Sequence, residues 1–499
     1  MTKHVSALLL ALSASVIQAQ DSPCCEALRS SGLNVYLPDD AAYQDRTDSY
    51  FSISAQLHPW CFVQPIETKE VASVVDTLRE HPSCVDTKFA VRSGGHAPWA
   101  GANNIDDGVT VDLGMMNATV LDLPRNVAGV QPGSRWGRVY GTLDPLNYTV
   151  AGGRAISVGV GGFLTGGGNS FFSARYGFGT DTVKNFEVVL ATGSEVINAN
   201  STENTDLFQV LKGGSGSNYG IVTRYDMLAI EGSTLWGGTA LYNKSEGQKL
   251  IDAHVAWTDN VQNYPPGSAV LIFNYERSLG DIAVLTFYHD TEGREAPPAF
   301  DEFLAIPQTS NTLRFASHQN MSGDLDIPFG FRNIWHTTTI RNDPRIYNKF
   351  VEIHAQLVDE WKAEVSDPEF TAAMNFQAIP TIFTEHSVAN GGNVLGLDRV
   401  DENVVMIHFL MSVKTVELEV KATEKIKKYG AEMDAFAASV DGLVEWKHLN
   451  YAGGDQDPLA SYGEENNKKM RAASAKYDPT GFFQNKTPTG FKLSKSGTV

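Results

Sequence analysis

The chain has 499 residues, too many for a single hydrophobic core, so two domains are expected. Its composition is globular, 42% hydrophobic and 19% charged, with 45 glycines gathered in clusters rather than spread. The formal net charge of −19 leaves nothing to neutralise phosphates along an extended groove, which excludes nucleic acid as a partner.

Residues 1–19 read as a signal peptide, with Lys3 and His4 as the polar start, Val5 to Ile17 as the apolar stretch and Ala19 at the cleavage point. The stretch is too short to span a bilayer, and no other run of about 18 apolar residues occurs. A secreted protein without a membrane partner is expected. A polar leader comes next, over 20–54. The four cysteines (Cys24, Cys25, Cys61 and Cys84) lie in the first fifth of the chain, as disulfides anchoring an N-terminal segment would. They allow three pairings. Adjacent Cys24 and Cys25 are poorly placed to pair with each other, so each is expected to reach one of the other two. A metal site is the competing reading, and no histidine spacing supports it. Sequons at Asn117, Asn147, Asn200, Asn243, Asn320 and Asn485 are candidate glycan sites.

Cys61-Phe62-Val63 reads as a strand closed by Pro65. Residues 69–80 place Val71, Val74, Val75 and Leu78 at helical spacing, with Thr68 as N-cap. Phe89-Ala90-Val91 is the next strand. This β-α-β unit runs into Arg92-Ser93-Gly94-Gly95-His96, at the carboxyl end of a strand, where α/β sheets place ligands. Two glycines free the backbone N–H groups to approach a phosphate, and the histidine stands beside them. The plain alternative is a Gly-Gly turn with an exposed histidine.

Short β-type runs recur at 109–113, 127–130, 188–190 and 221–223, separated by glycine-rich turns at 158–168 and 213–220. Together with the β-α-β unit they make a first domain over 55–232. Beyond it, alternating strands at 269–275, 282–288 and 404–410 meet amphipathic helices at 346–362 and 418–436. That pattern predicts an antiparallel sheet covered by helices, a separate α+β domain over 233–445. Lys421, Lys425, Lys427 and Lys428 alternate with glutamates and read as a solvated helix face. Residues 446–499 return to glycine- and aromatic-rich loops.

Three glycine clusters among strands suggest one long ligand lying across several turns. None closes with Gly-Lys-Ser or Gly-Lys-Thr, and Gly159-Val160-Gly161-Gly162 lacks the strand–helix setting of a dinucleotide fingerprint. Arg-Ser-Gly-Gly-His at 92–96, Val-Gly-Val-Gly-Gly at 158–162, Gly-Gly-Gly at 166–168, Arg-Tyr-Gly at 175–177 and Gly-Ser-Asn-Tyr-Gly-Ile-Val-Thr at 216–223 carry a resemblance, as do Asn450-Tyr451 and Tyr477-Asp478-Pro479. The chain resembles the FAD-linked oxidases, specifically the berberine-bridge-enzyme-like branch of the vanillyl-alcohol-oxidase (p-cresol methylhydroxylase) superfamily. The leader, with Cys24-Cys25 and Tyr50-Phe51, is similar to secreted fungal members.

The resemblance implies an α+β fold in which 55–232 is the FAD-binding domain, 233–445 the substrate domain, and 446–499 a return to the first. It implies FAD as cofactor. Arg92, Ser93, Gly94, Gly95 and His96 would cradle its pyrophosphate. Val158, Gly161, Gly162, Gly166, Gly167, Gly168 and Asn450 would run along the flavin ring, and Ile221 and Val222 along the adenine side. His96 would bond covalently to the 8α-methyl. Many relatives make a second link through a cysteine where this chain has Ala155, so a single link through His96 is expected. Pro98 stands where several sugar-oxidising relatives carry an aromatic residue.

The resemblance places the Asn-Tyr pair beside the flavin ring, which makes Tyr451 the candidate base, with packing and hydrogen bonding to the cofactor as its alternative role. A tyrosine ordinarily titrates near 10, so it needs a neighbouring charge or proton relay, for which His448 is the candidate. The resemblance places Val158 where relatives admit or block oxygen beside the flavin, and a small valine there favours an oxidase. Gln377 and Asn393 are expected on the substrate side, and His58, His336 and His408 are read as surface or packed residues. The expected partners are a small-molecule substrate and dioxygen, and the chain is expected to act as a monomer. The implied activity is an oxidase on an alcohol, amine or secondary-metabolite carbon, releasing H2O2. A carbohydrate oxidase, an FAD-dependent dehydrogenase or oxidative cyclase, and a low-turnover flavin-binding protein are the alternatives.

Overall fold

A computed structural model describes residues 22–366 and 370–497. The expected signal peptide lies outside the described residues. Helix Pro23–Ser30 is bound to the first β-α-β unit by two disulfides, Cys24–Cys84 and Cys25–Cys61. Cys61 opens the strand Cys61–Val63, and Cys84 sits just past helix Thr68–Glu80. From residue 22 on the leader is therefore folded onto the first sheet, and its Tyr50 and Phe51 are buried.

That sheet has four strands. Cys61–Val63 and Phe89–Arg92 both run parallel to Val109–Asp112, which lies between them, and Val35–Tyr36 pairs antiparallel at the edge. Helix Thr68–Glu80 makes the crossover and buries Val71, Val74, Val75 and Leu78, as its 3.6-residue spacing dictates. Its N-cap is Glu67 rather than Thr68. Thr68 Oγ1 instead donates to Glu187 Oε1 at 2.7 Å, tying the helix start to the neighbouring sheet.

The second sheet is five-stranded and antiparallel, in the order Thr119–Asp122, Val127–Val130, Ile221–Leu228, Val183–Val189, Val196–Asn200. The third is a nine-stranded antiparallel sheet whose central strands are Gly267–Glu276, Thr371–Ile379 and Val404–Val413. Helices Gly247–Asn260, Pro344–Glu364 and Val416–Ser439 pack on one face of it. Successive side chains in a strand alternate faces, so half of each central strand is left for the opposite face, where the site forms. The expected α+β architecture holds.

Lys421, Lys425 and Lys428 pair with Glu360 and Glu364 of the adjacent helix, so part of that lysine face is an interhelical charge seam. The C-terminal segment packs back on the early chain. Helix Glu464–Tyr477 meets helix Thr205–Leu211, and Phe482 and Phe483 pack against Phe89.

Candidate active site

Strand Phe89–Arg92 hands the chain to a turn in which Gly95 has φ 70°, the left-handed conformation glycine tolerates without strain. Gly94 packs directly on Gly159. A Cβ on either residue would land on the other's backbone, so these glycines let two loops meet. Ser93 fastens the contact, its Oγ donating to Pro132 O at 2.5 Å and accepting from Gly161 N at 3.0 Å. None of the described residues accepts from the N–H groups of Gly94, Gly95 or His96.

Positive charge sits beneath this turn. Arg92 is fully buried, donates to Arg46 O at 2.6 Å and Ser49 Oγ at 2.7 Å, and lies over the Tyr50 ring. Arg135 donates to Ser49 O at 2.7 Å and Gly94 O at 2.9 Å. Burial, then the charges of Arg92 and Arg46, push Arg135 down to about 10, which leaves it a cation at neutral pH. Free N–H groups above guanidiniums suit a phosphate.

The His96 ring stacks on Phe51, centres 4.1 Å apart at 8°. Its Nε2 lies 3.1 Å from Ser157 Oγ, and that hydroxyl donates to Asp326 Oδ1. Burial, then the Arg135 charge, push His96 down to about 3, against a bond that the charged ring would donate to its own backbone. The imidazole is neutral and keeps a nucleophilic lone pair.

A cavity of about 370 Å³ runs from this turn to the large sheet. Strand alternation puts Ser268, Val270, Ile272, Phe287, His289, Asn375, Gln377, His408 and Leu410 on its far wall. Register sets Asn375 opposite His408 and Gln377 opposite Val270. Arg154 stands where loop and sheet meet. Its Nη2 donates to Gln377 Oε1 and, at 3.1 Å, to Tyr451 Oη. Asn169 Nδ2 donates to the same Gln377 oxygen at 3.3 Å. The Tyr451 ring lies nearly flat on His408, 4.5 Å away, and edge-on to His448 at 5.3 Å.

Burial dominates the titration of the cavity histidines. It pushes His289, His408 and His448 each down to about 3, with the Arg154 charge a smaller cause at all three. The wall therefore offers neutral imidazoles beside one guanidinium. Both ring nitrogens of His289 and His448, Nε2 of His408 and Oδ1 of Asn375 have no partner among the described residues. Buried polar atoms in that state call for a ligand or water.

Of the residues singled out in the sequence, Ser93, Gly94, Gly95, His96, Val158, Gly161, Gly162, Ile221, Val222, Asn450, Tyr451, His448 and Gln377 line this one cavity. Others lie behind it. Arg92 supports the turn from below. Gly166 makes room for the Asn450 amide, Gly167 faces Leu395 and His448, and Gly168 faces Phe163. Asn450 clamps the glycine loop, accepting from Gly168 N at 3.0 Å and donating to Gly162 O at 2.9 Å. Asn393 is placed elsewhere: its amide donates to buried Asp181 at 3.0 Å, which fixes its loop away from the cavity. His408, read from sequence as surface or packed, is buried and lines the cavity against Tyr451. The residue bonded to Tyr451 is Arg154 and not His448. Sequence reasoning missed Arg154, Asn169, Ser157, Asp326 and His289. Of these only Arg154 carried a signal, by standing one position before Ala155.

A family model described as an FAD binding domain matches residues 59–198. FAD-dependent monooxygenase sdcF of Emericella nidulans is 41% identical over 478 residues, covering 95% of this chain and 98% of that protein. The chain belongs to the family of these FAD-dependent oxidoreductases. FAD-dependent monooxygenase drtC of Aspergillus calidoustus is 36% identical, covering 95% of this chain and 90% of the relative. Among solved structures, glucooligosaccharide oxidase of Acremonium strictum has the same fold, with a TM-score of 0.74 at 19% identity over 94% of this chain and 99% of that one. This protein is an FAD-dependent oxidoreductase. Its site fits the cofactor: unbonded N–H groups over guanidiniums suit the pyrophosphate, and at Gly162 a Cβ would meet nothing within 4 Å, which leaves that backbone open to a ring.

Proposed function

We propose that the protein is a secreted oxidase, taking a hydride from an alcohol, amine or secondary-metabolite carbon and releasing hydrogen peroxide. The observation that carries the reading is the Arg154–Tyr451 contact at 3.1 Å, in the same cavity as the His96 turn. Bound FAD supplies a two-electron acceptor. The chain supplies the proton chemistry and the geometry.

Tyr451 Oη is the proton acceptor. Arg154 offers a cation to that oxygen in its proton-free state, the state able to take a substrate's O–H or N–H proton. Gln377 and Asn169 orient the guanidinium. Val270, Ile272, Phe287 and Leu410 line the cavity and would exclude water from it, while the neutral imidazoles of His289, His408 and His448 would receive polar groups without demanding charge.

His96 is read as the single covalent hold on the flavin, since Ala155 lines the cavity where many relatives have a cysteine. The Acremonium strictum enzyme, by contrast, has a 6-S-cysteinyl, 8α-N1-histidyl FAD. Two disulfides in the described residues support secretion.

A peroxide screen over alcohols, amines and sugars tests the activity. At least one class should bleach the flavin without oxygen and yield peroxide in air. If dithionite bleaches it and no substrate does, the oxidase reading fails. The relatives' names favour a second reading, transfer of one oxygen atom to the substrate. Under labelled dioxygen that reaction leaves the label in the product, whereas the oxidase leaves it in peroxide.

A further inference from the structure

His96 does not stand alone. Its Nε2 meets Ser157 Oγ at 3.1 Å, and Ser157 is held twice by Asp326, whose Oδ1 accepts from the hydroxyl and, at 3.1 Å, from the Ser157 backbone N–H. Ser157 has one hydroxyl proton, and it goes to the carboxylate. Oγ is therefore left to accept from His96 Nε2–H, which leaves Nδ1 with the lone pair. Ser157 is buried behind the cavity wall, and Asp326 is half-buried on the loop after helix His318–Asp324. The three groups form an ordered path for one proton, from an imidazole at the cavity, through a buried hydroxyl, to a half-buried carboxylate.

We propose that Ser157 and Asp326 are positioning residues for flavin attachment: they fix the His96 tautomer and remove its Nε2 proton as Nδ1 forms the bond. This rests on the reading of His96 as the covalent link. In the step, the 8α-carbon exchanges a C–H bond for a C–N bond to Nδ1. The carbon's proton and the Nε2 proton leave, the latter through Ser157 Oγ to the Asp326 carboxylate. The two electrons released pass to the flavin and on to dioxygen, which with the two protons becomes hydrogen peroxide. Without a proton acceptor the alkylated ring would be left a cation, in surroundings that hold this imidazole neutral. An aspartate acting through serine serves that need without placing a charge against the ring.

The test measures attachment rather than turnover. Full-length wild type, S157A, S157T and D326N are loaded with FAD in air, and the fraction of flavin retained after acid denaturation is followed in time. Asp326→Asn keeps an oxygen for the Ser157 N–H yet cannot take the proton, so it separates positioning of the loop from proton removal. S157A and D326N should bind FAD non-covalently as wild type does and attach it at least ~10-fold more slowly, a modest share of what proton-transfer groups commonly contribute. S157T should recover the rate. Wild-type attachment rates in both variants would overturn the relay while leaving His96 as the link. Loss of non-covalent FAD binding in D326N would also overturn it, by reducing the pair to scaffolding. Wild-type protein whose flavin is free, or is bonded elsewhere than His96, would overturn the attachment reading itself.

Discussion

At Tyr451, the phenol oxygen shares one guanidinium with Gln377, and that sharing sets expectations for substitution. Tyr451→Phe should lower kcat by roughly 10² to 10⁴, the usual range for a positioned acid–base group, with FAD content and melting temperature unchanged. Arg154→Gln should lower kcat with a smaller change in KM, because the charge matters most when the oxygen is proton-free. Equal kcat in wild type and Tyr451→Phe would assign the base elsewhere on the wall. The tyrosine was legible in the sequence through its Asn-Tyr pair. Its cation was not, because a lone arginine in a glycine loop has no periodicity to mark it. Nor was His408, whose face of strand Val404–Val413 depends on which side the helices cover.

At the scale of elements, the glycine clusters announced close backbone approach, and the structure shows more than one kind. Gly94 and Gly159 approach each other, so Gly94→Ala or Gly159→Ala drives a methyl into backbone. Either change should cut FAD loading sharply and lower the melting temperature by several degrees, measured on freshly purified protein. Undiminished loading in both would show that the loops meet less tightly. Asn450→Ala should cost about 1–3 kcal/mol by leaving Gly168 N–H and Gly162 O without their partner. The β-α-β unit and the helix-covered sheet were readable from period and composition alone. Strand order was not, since the insertion of Val109–Asp112 between two earlier strands is a matter of long-range pairing.

Across the whole molecule, burial of neutral histidines makes stability depend on acid. His254, His289, His318, His408 and His448 are each pushed down to about 3 from an ordinary 6.5, with burial the first cause in every case. Between those values the unfolded chain binds more protons than the folded one, so stability is full above pH 6.5 and falls as pH drops. A melting temperature that stays flat from pH 6.5 to about 4 would contradict this. One histidine, in the turn joining the first sheet to the cavity, is proposed to hold the flavin alone. Peptide mass mapping of acid-denatured wild-type protein tests it most directly. The expected result is the mass of FAD on the peptide containing His96, none on the peptide containing Ala155, and free flavin from His96→Ala. An unmodified His96 peptide with all flavin in the supernatant would contradict it.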